Sequence, residues 1–413
     1  MKMGKSKSTP SSIVVAVDVG TTKICVLVAQ YVSQGGLEII GIGKSPSYGL
    51  ARGVVVNIKP TIESIRAAVR EAELMSGIAI ESASIGISGS HVQARNSQGV
   101  VGIKQGEIRQ SDMDHVISAA KAIPLPEGQQ ILHVLPQFYI IDGNHKVRDP
   151  LGMFGIRLEA QVHIISGALS SVQNLVRCCE MAGLKVRDII LEPLASAEAV
   201  LSEDEKELGA FMLDIGGGTS DFAFYQQGTI RHTKVVPIAG NLFTQDLALC
   251  LRTTMADAER VKKTYGCSFD NPAALNDIIE IEKIQGGEKH AVTGADVAEV
   301  INARASELFD IIKVEMATYK LRAPAGLILT GGGALLDGVR AHAEKILAIP
   351  VRVGCPKITF GFQESLNNPI YATGYGLLVY AVNKHKIQAF DRLEGPFVGR
   401  VITRMKSWVG NFF

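Results

Sequence analysis

Long apolar runs are missing from this sequence. No stretch reaches the about eighteen residues that a membrane-spanning helix needs. The nearest, 370–382, is interrupted by Thr373, Gly374 and Gly376. The opening MKMGKSKSTPSS is basic and Ser-rich, but the apolar run after it is broken by Asp18, so no secretory leader is expected. Cysteine is sparse and scattered, at 25, 178, 179, 250, 267 and 355, with no CxxC pair and no Cys/His ligand spacing. That pattern argues against a disulfide framework or a zinc site and fits a reducing cytoplasm. No HExxH spacing or Ser/His/Asp set stands out. Excess charge is also absent: 42 Lys and Arg face 41 Asp and Glu, a net of +1. A general nucleic-acid coat would need a strong basic surplus.

What is present is the composition of a folded chain. Hydrophobic residues make up 46% and charged residues 20% of 413. At about 150 residues per domain, that length allows two or three domains. The 42 glycines gather in tight clusters with apolar flanks, the signature of phosphate-binding turns rather than of linkers.

Short β-rich runs alternate with helical stretches, which predicts an α/β protein. Strands are expected over 13–19, 24–30 and 38–43, then a helix over 60–77 with Pro60 at its start and Gly77 at its end. A second series repeats this grammar. Strands are expected at 210–214, 221–226, 229–237 and 326–330, with helices at 241–251, 256–265 and 296–322 and another from Ala334. The two series open alike, VAVDVGTTKICVLVA at 15–29 and FMLDIGGGTSDFAFY at 211–225, a weak internal repeat. Residues 86–162, rich in proline, read as an inserted α+β subdomain before a helix at 171–183, and 383–395 reads as a polar linker.

The chemistry sits in the turns. Each of Asp18-Val-Gly-Thr-Thr-Lys23 and Asp214-Ile-Gly-Gly-Gly-Thr-Ser-Asp221 ends a strand in Asp and turns on Gly and Thr. Such a turn exposes backbone N–H groups that cradle phosphate oxygens, and Thr hydroxyls add donors. Asp18 and Asp214 are therefore placed as holders of a hydrated Mg²⁺ through water. Gly20, Thr21, Thr22, Gly216, Gly217, Gly218 and Thr219 are placed on the phosphates, with Lys23 as a point charge beside them. Gly331, Gly332 and Gly333, at a strand-to-helix junction, let a flat ligand or a phosphate approach the backbone. Ala195, Ala197, Gly374 and Gly376 are small enough for two helices to cross closely. Gly43-Lys44-Ser45 mimics the end of a P-loop, but Glu38 stands where its first glycine belongs and Pro46 blocks the helix. Vicinal Cys178 and Cys179 lie in a helical run and read as buried structural thiols.

Taken in order, the Asp18 turn, Glu192-Pro-Leu-Ala-Ser, the Asp214 turn, Leu329-Thr-Gly-Gly-Gly-Ala and Ala372-Thr-Gly-Tyr-Gly376 resemble five motifs of one superfamily. They are the phosphate 1, connect 1, phosphate 2, adenosine and connect 2 motifs of the actin, sugar-kinase and heat-shock-chaperone ATPases. The resemblance implies a two-lobed actin-like ATPase fold with ATP and Mg²⁺ as ligands. Glu259, Lys262 and Lys263 match the helix that packs on adenine and ribose in that superfamily. Glu192, at the interlobe crossing, is the candidate for orienting an in-line water, and with Asp214 forms the candidate catalytic pair.

Within the superfamily the chain is similar to the FtsA family of bacterial cell-division proteins. The runs that carry this are SIGISGSHV at 84–92, QQILHVLPQFYIIDG at 129–143, RDPLGMFGIRLEAQVHII at 148–165 and IRHTKVVPIAG at 230–240. The second and third fall in the insertion, where that family has its own subdomain, 1C. The implied plan is a disordered tail over 1–12 and a first-lobe core (1A) over 13–85, 163–207 and 371–383, with 1C over 86–162. The second-lobe core (2A) takes 208–243 and 304–370, the small subdomain 2B 244–303, and a linker 384–395 precedes a membrane-targeting helix over 396–413.

That last helix is also legible from its residues. At about 100° per residue, Phe397, Val398, Val401, Ile402, Met405, Trp408, Val409, Phe412 and Phe413 share an arc of about 160°. Arg400, Arg404 and Lys406 lie opposite, and no acid follows Glu394. Terminal position, aromatics and purely basic charge point to a helix lying on an anionic membrane surface.

The resemblance implies an actin-like adaptor that polymerises with itself and is at most a weak ATPase. It would join the tubulin-like FtsZ, through that protein's terminal peptide at 2B, to the cytoplasmic face of the inner membrane at the division site. Arg304 matches a family position linked to that contact, and 1C is expected to recruit later division proteins. The alternative is a small-molecule kinase of the same superfamily, acting on a sugar or carboxylate, which would have no use for the terminal helix.

Overall fold

The computed structural model describes residues 13–32, 36–104, 106–268, 276–284 and 289–393, with side chains described as far as Asn383. The first lobe opens with β1 (Ile13–Val19), β2 (Lys23–Val32) and β3 (Gly36–Pro46), joined by hairpins. A small ribbon of β4 (Leu50–Ala51) and β5 (Val54–Val55) leads to α1 (Ile58–Ser76) and β6 (Ser82–Ile87). The inserted subdomain follows: β7 (Gln93–Gly102), α2 (Gln110–Lys121), β8 (Gln129–Ile141), β9 (His145–Val147) and β10 (Arg157–Ala168). The chain returns through α3 (Leu169–Met181), β11 (Lys185–Leu191), α4 (Glu192–Val200) and α5 (Glu203–Leu208).

The second lobe is built from β12 (Ala210–Ile215), β13 (Ser220–Gln226) and β14 (Thr229–Val236), then α6 (Gly240–Cys250) and α7 (Met255–Tyr265). After β15 (Ile278–Glu282) and β16 (Lys289–Thr293) comes the long α8 (Gly294–Thr318). Next are β17 (Leu327–Thr330), a 3₁₀ turn over Gly332–Leu335, α9 (Val339–Leu347) and β18 (Val351–Val353). A short α10 (Gln363–Leu366) precedes α11 (Ala372–Leu393), which crosses back to the first lobe.

The internal repeat is realised as topology. One sheet has the order β3-β2-β1-β6-β11, the other β14-β13-β12-β17-β18. In both, two antiparallel hairpin pairings are followed by two parallel ones. β1 and β12 are central and buried over almost their whole length, which is why they read as continuous β-branched and apolar runs. The two lobes are the halves of an actin-like fold, with an α+β subdomain inserted in the first.

Glycine sets how closely the layers approach. A Cβ on Gly43 would run into the Ala68 carbonyl of α1, so the GKS run is a strand edge under a helix rather than a nucleotide loop. A Cβ on Gly376 would collide with the Ala195 carbonyl, so α4 and α11 cross nearly backbone to backbone. Cys178 and Cys179 are fully buried on α3, and burial pushes the Cys179 thiol up to about 12.

Three expectations need correction. Lys320, at a φ of 52°, turns the chain out of helix, so α8 ends at Thr318 and not at 322. The helix expected from Ala334 is interrupted: Gly338 takes a φ of 71° and α9 starts at Val339. Residues 384–393, read as linker, continue α11 as helical backbone.

The insertion has its own apolar core, in which Leu158, Val162 and Ile164 of β10 pack with Val116 of α2 and Tyr139 and Ile141 of β8. It also docks on the second lobe. Gln137 donates to the Ile230 carbonyl at 2.8 Å, and buried His163 bridges Asn96 (2.8 Å) and Thr233 (2.9 Å). Burial holds the His163 imidazole at a pKa of about 3, so it sits there neutral.

Candidate functional site

Both Gly/Thr turns open from strands that end at the cleft between the lobes. Register pairs Asp18 with Cys25 in one hairpin and Asp214 with Asp221 in the other. The turns face each other so closely that a Cβ on Gly217 would strike Thr22 Oγ1, and one on Gly218 would strike Thr21 Oγ1. The side-chain-free Gly216–Gly218 stretch of one turn, opposed by Thr21 and Thr22 of the other, forms a polar slot. The Gly216–Thr219 turn is anchored from behind, its Gly216 and Gly217 carbonyls accepting from the Gly240 and Asn241 amides (3.0 and 2.8 Å) at the start of α6.

Asp214 is held by both crossing helices. Ser196 of α4 donates to it at 2.6 Å and Thr373 of α11 at 3.0 Å. Burial raises its pKa, while these two hydroxyls and Lys23 act against the rise. Asp18 is raised to about 6, chiefly by desolvation, with Lys23 lowering it and Asp214 raising it. Glu192, the first residue of α4, has room because Gly86 of β6 faces it without a side chain. Desolvation together with Asp18, Asp221 and Asp214 pushes its pKa well above the carboxylate range. Lys23 donates its ammonium to the Ile370 carbonyl at 2.6 Å and lies 4.6 Å from the centre of the Tyr371 ring.

The second lobe closes the far end. On α7, Glu259 pairs with Lys262 (2.6 Å) and Lys263 (3.1 Å), and it accepts a hydrogen bond from Thr244. Lys262 also donates to the Gly240 carbonyl at 2.9 Å, tying α7 to the base of the phosphate turn. Gly331 has a φ of 79° and lies against Asp214 and Ile215, where a Cβ would clash with the Asp214 carboxylate. Gly332 has only Ile370 near it, so its face is open to the cleft.

The residues expected from the sequence at the nucleotide site line one cavity of about 630 Å³. They are Asp18, Gly20, Thr21, Thr22, Lys23, Glu192, Asp214, Gly216 to Thr219, Glu259, Lys262, Lys263 and Gly331 to Gly333. The size lies in the about 300–1,000 Å³ range of cofactor pockets. Arg304 is elsewhere, on α8, where it forms a two-point ion pair with Asp246 (2.6 and 2.9 Å) and a further pair with Glu307. The amphipathic stretch with Phe397, Arg400, Val401, Arg404, Met405, Lys406, Trp408 and Phe412 lies outside the described residues.

Sequence reasoning missed Asp221 and Ser88 as site residues. Asp221 faces the cleft, raised to about 8 mainly by desolvation and also by Asp214 and Asp18, and it accepts from Ser88 at 2.6 Å. Asp221 was visible as the acid closing the second motif; Ser88 carries no local signal beyond ending a buried strand.

The donor set fits a hydrated divalent cation. Asp18, Glu192, Asp214 and Asp221 converge in the cleft, where desolvation raises the pKa of each; neighbouring carboxylates add to the rise at Asp18, Glu192 and Asp221, and Lys23 acts against it at Asp18 and Asp214. Among the described residues, no three His, Cys, Asp or Glu side chains gather tightly enough to ligate one ion directly. The facing glycine turns likewise fit phosphate.

Two family profiles match the chain: "Cell division protein FtsA" over residues 211–376, and "SHS2 domain inserted in FTSA" over residues 89–166. Cell division protein FtsA of Pseudomonas aeruginosa is 42% identical over 409 residues, covering 97% of this chain and 98% of that protein. Among solved structures, a chain of the PilM–PilN type IV pilus biogenesis complex aligns with a TM-score of 0.66 at 16% identity, covering 89% of this chain and 98% of its own. MreB5 of Spiroplasma citri bound to ADP aligns at 0.56 and 15% identity, covering 91% and 98%. At those identities the structural likeness carries the fold alone.

Proposed function

The chain belongs to the FtsA family of cell division proteins, and on that premise we propose that it is an ATP-binding, actin-like adaptor. It polymerises on the cytoplasmic face of the cell membrane at the division site, anchors the FtsZ ring there and helps recruit later division proteins. The observation that carries the nucleotide half is the cavity itself, with two Asp–Gly turns facing each other across it and the α7 and Gly331 segments closing it. Gly20 to Lys23 and Gly216 to Thr219 would hold the phosphates, and Asp18 and Asp214 a water-bound Mg²⁺, which when present supplies the charge the carboxylate cluster lacks. Glu259, Lys262, Lys263 and Gly331 to Gly333 would take the adenosine. Glu192 would orient water for a weak ATPase, so the nucleotide serves mainly to set filament structure.

The membrane half rests on 396–413, whose aromatic and basic faces suit an interfacial helix. No described helix is long and apolar enough to cross a membrane. We assign residues 86–162 to self-assembly and recruitment, and the 244–303 subdomain with Arg304 to the FtsZ terminal peptide. Membership in the FtsA family favours this adaptor over a small-molecule kinase. Calorimetry with Mg·ATP tests the nucleotide half: wild type should bind, and Asp214→Ala should lose binding while its unfolding transition stays cooperative. Unchanged affinity in that variant would remove the clamp.

A further inference from the structure

A second cavity, of about 500 Å³, lies at the seam where the insertion meets the second lobe. Asn96 and Lys146 reach it from the insertion, Gln227 and Arg231 from the β13–β14 hairpin, and Lys320 and Arg322 from the segment after α8. None of its lining residues is acidic, and four of them carry fixed positive charge. In a chain whose charges otherwise balance almost one to one, that is a local excess requiring explanation.

The positive groups are gathered by neutral partners. Gln227 Oε1 accepts from Lys146 Nζ at 3.0 Å and from Arg231 Nη2 at 2.9 Å. Both cations also lie over the Phe138 ring, at 4.0 and 5.2 Å from its centre. The nearby acids are engaged elsewhere: Glu207 pairs with Arg148, and Glu315 with His232 and Lys234. Among the described residues no carboxylate pairs with Lys146, Arg231, Lys320 or Arg322. Lys146 and Arg231 bind their protons less firmly than usual, through desolvation and then through the cations beside them, Arg231 for the lysine and Arg148 for the arginine.

We propose that this seam cavity binds a small phosphate-bearing anion, held by Lys146, Arg231, Lys320 and Arg322, and that the bound anion fastens the insertion to the second lobe. Two guanidinium forks and two ammonium groups match the several oxygens of a phosphate or pyrophosphate. Phe224, Tyr319 and Leu321 complete the lining, so the charged contacts available to a ligand are those four cations. An anion there would join Lys146 of the insertion to cations of the second lobe, adding to the Gln137 and His163 bonds along the same seam. The site is distinct from the nucleotide cleft and does not depend on how that cleft is used.

The test is calorimetric titration of the full chain with inorganic pyrophosphate, and separately with glycerol phosphate, in the presence of saturating Mg·AMPPNP to occupy the cleft. One pyrophosphate per chain should bind, about tenfold or more weakly in Lys320→Gln/Arg322→Gln and again in Lys146→Gln, as removed charge-assisted bonds require. Lys320 and Arg322 are exposed, so the double variant should fold and keep its AMPPNP affinity. Equal binding of glycerol phosphate assigns the site to a lipid headgroup; binding of pyrophosphate alone assigns it to a free anion. Absence of any binding, or affinities unchanged in both variants, overturns the proposal. So does a Glu-rich peptide that binds where neither phosphate does.

Discussion

Ser88 donates its hydroxyl proton to Asp221 at 2.6 Å, joining the end of β6 in one lobe to β13 in the other. Both residues are buried, and Thr219 donates to the same carboxyl at 3.5 Å. Ser88→Ala strips Asp221 of its short bond, and leaving a buried polar group without its partner costs on the order of 1–3 kcal/mol. Urea unfolding of the nucleotide-free protein should show that loss, with the m-value unchanged. An unaltered midpoint would mean that the contact does not hold the lobes together.

The raised carboxylates set a pH dependence. Folded pKa values of about 6 for Asp18 and about 8 for Asp221 stand above the ordinary 3.8, so the folded state holds more protons than the unfolded state between them. Their contribution is therefore fully present below 3.8 and is lost as pH rises from there, through about 6 for Asp18 and about 8 for Asp221. Nucleotide-free protein should melt at a lower temperature at pH 8.5 than at pH 5.5, a range chosen around those about 6 and about 8 values. Mg·ATP should flatten the slope, because a bound cation favours the ionised carboxylates. A melting temperature that climbs across this range would contradict the charge cluster.

Gly217→Ala places a methyl group where Thr22 Oγ1 stands. The turns must part, and Mg·ATP affinity should fall by about ten- to a hundredfold, the loss of one to two good phosphate contacts. Pairing it with Thr22→Ala should recover part of the affinity, since the colliding hydroxyl is gone. If the double variant binds no better than Gly217→Ala alone, the facing-turn geometry is not what limits binding.

Arg304 has two readings that mutation separates. Its ion pair with Asp246 joins α8 to α6 with both side chains about four-fifths buried. A two-point pair shielded to that degree is worth more than the about 1 kcal/mol or less of an exposed one. Arg304→Ala and Asp246→Ala should thus each lower stability to a similar extent, while Arg304→Ala alone should weaken binding of an FtsZ terminal peptide. Equal peptide loss in both variants would make Arg304 a brace for the subdomain and not a contact.

The cleft was legible to the extent that it is built from local pieces. Asp18 and Asp214 each sit at the end of an apolar strand followed by a Gly/Thr turn, and hairpin geometry then fixes where they point. The Gly376–Ala195 crossing was legible for the same reason, because small residues on two helices have few other uses. Ser88 and the docking of Gln137 and His163 on β14 were not. They are polar residues on strands that look like core, and only the tertiary approach of the lobes gives them partners. Helix ends were misjudged where a single left-handed residue, Lys320 or Gly338, overrides an apolar pattern that continues past it.

The adaptor account stands or falls on the tail, and Trp408 is the chain's only tryptophan. Its emission should be recorded on the full chain with Mg·ATP, before and after adding anionic vesicles. The account predicts a shift to the blue as the indole enters the headgroup layer, a smaller shift with neutral vesicles, and weakening by salt through Arg400, Arg404 and Lys406. Trp408→Glu should release the protein from sedimenting vesicles with ATP affinity intact. Emission already blue in buffer, no response to lipid and lower stability in Trp408→Glu would show a helix docked on the protein's own core, contradicting the membrane adaptor.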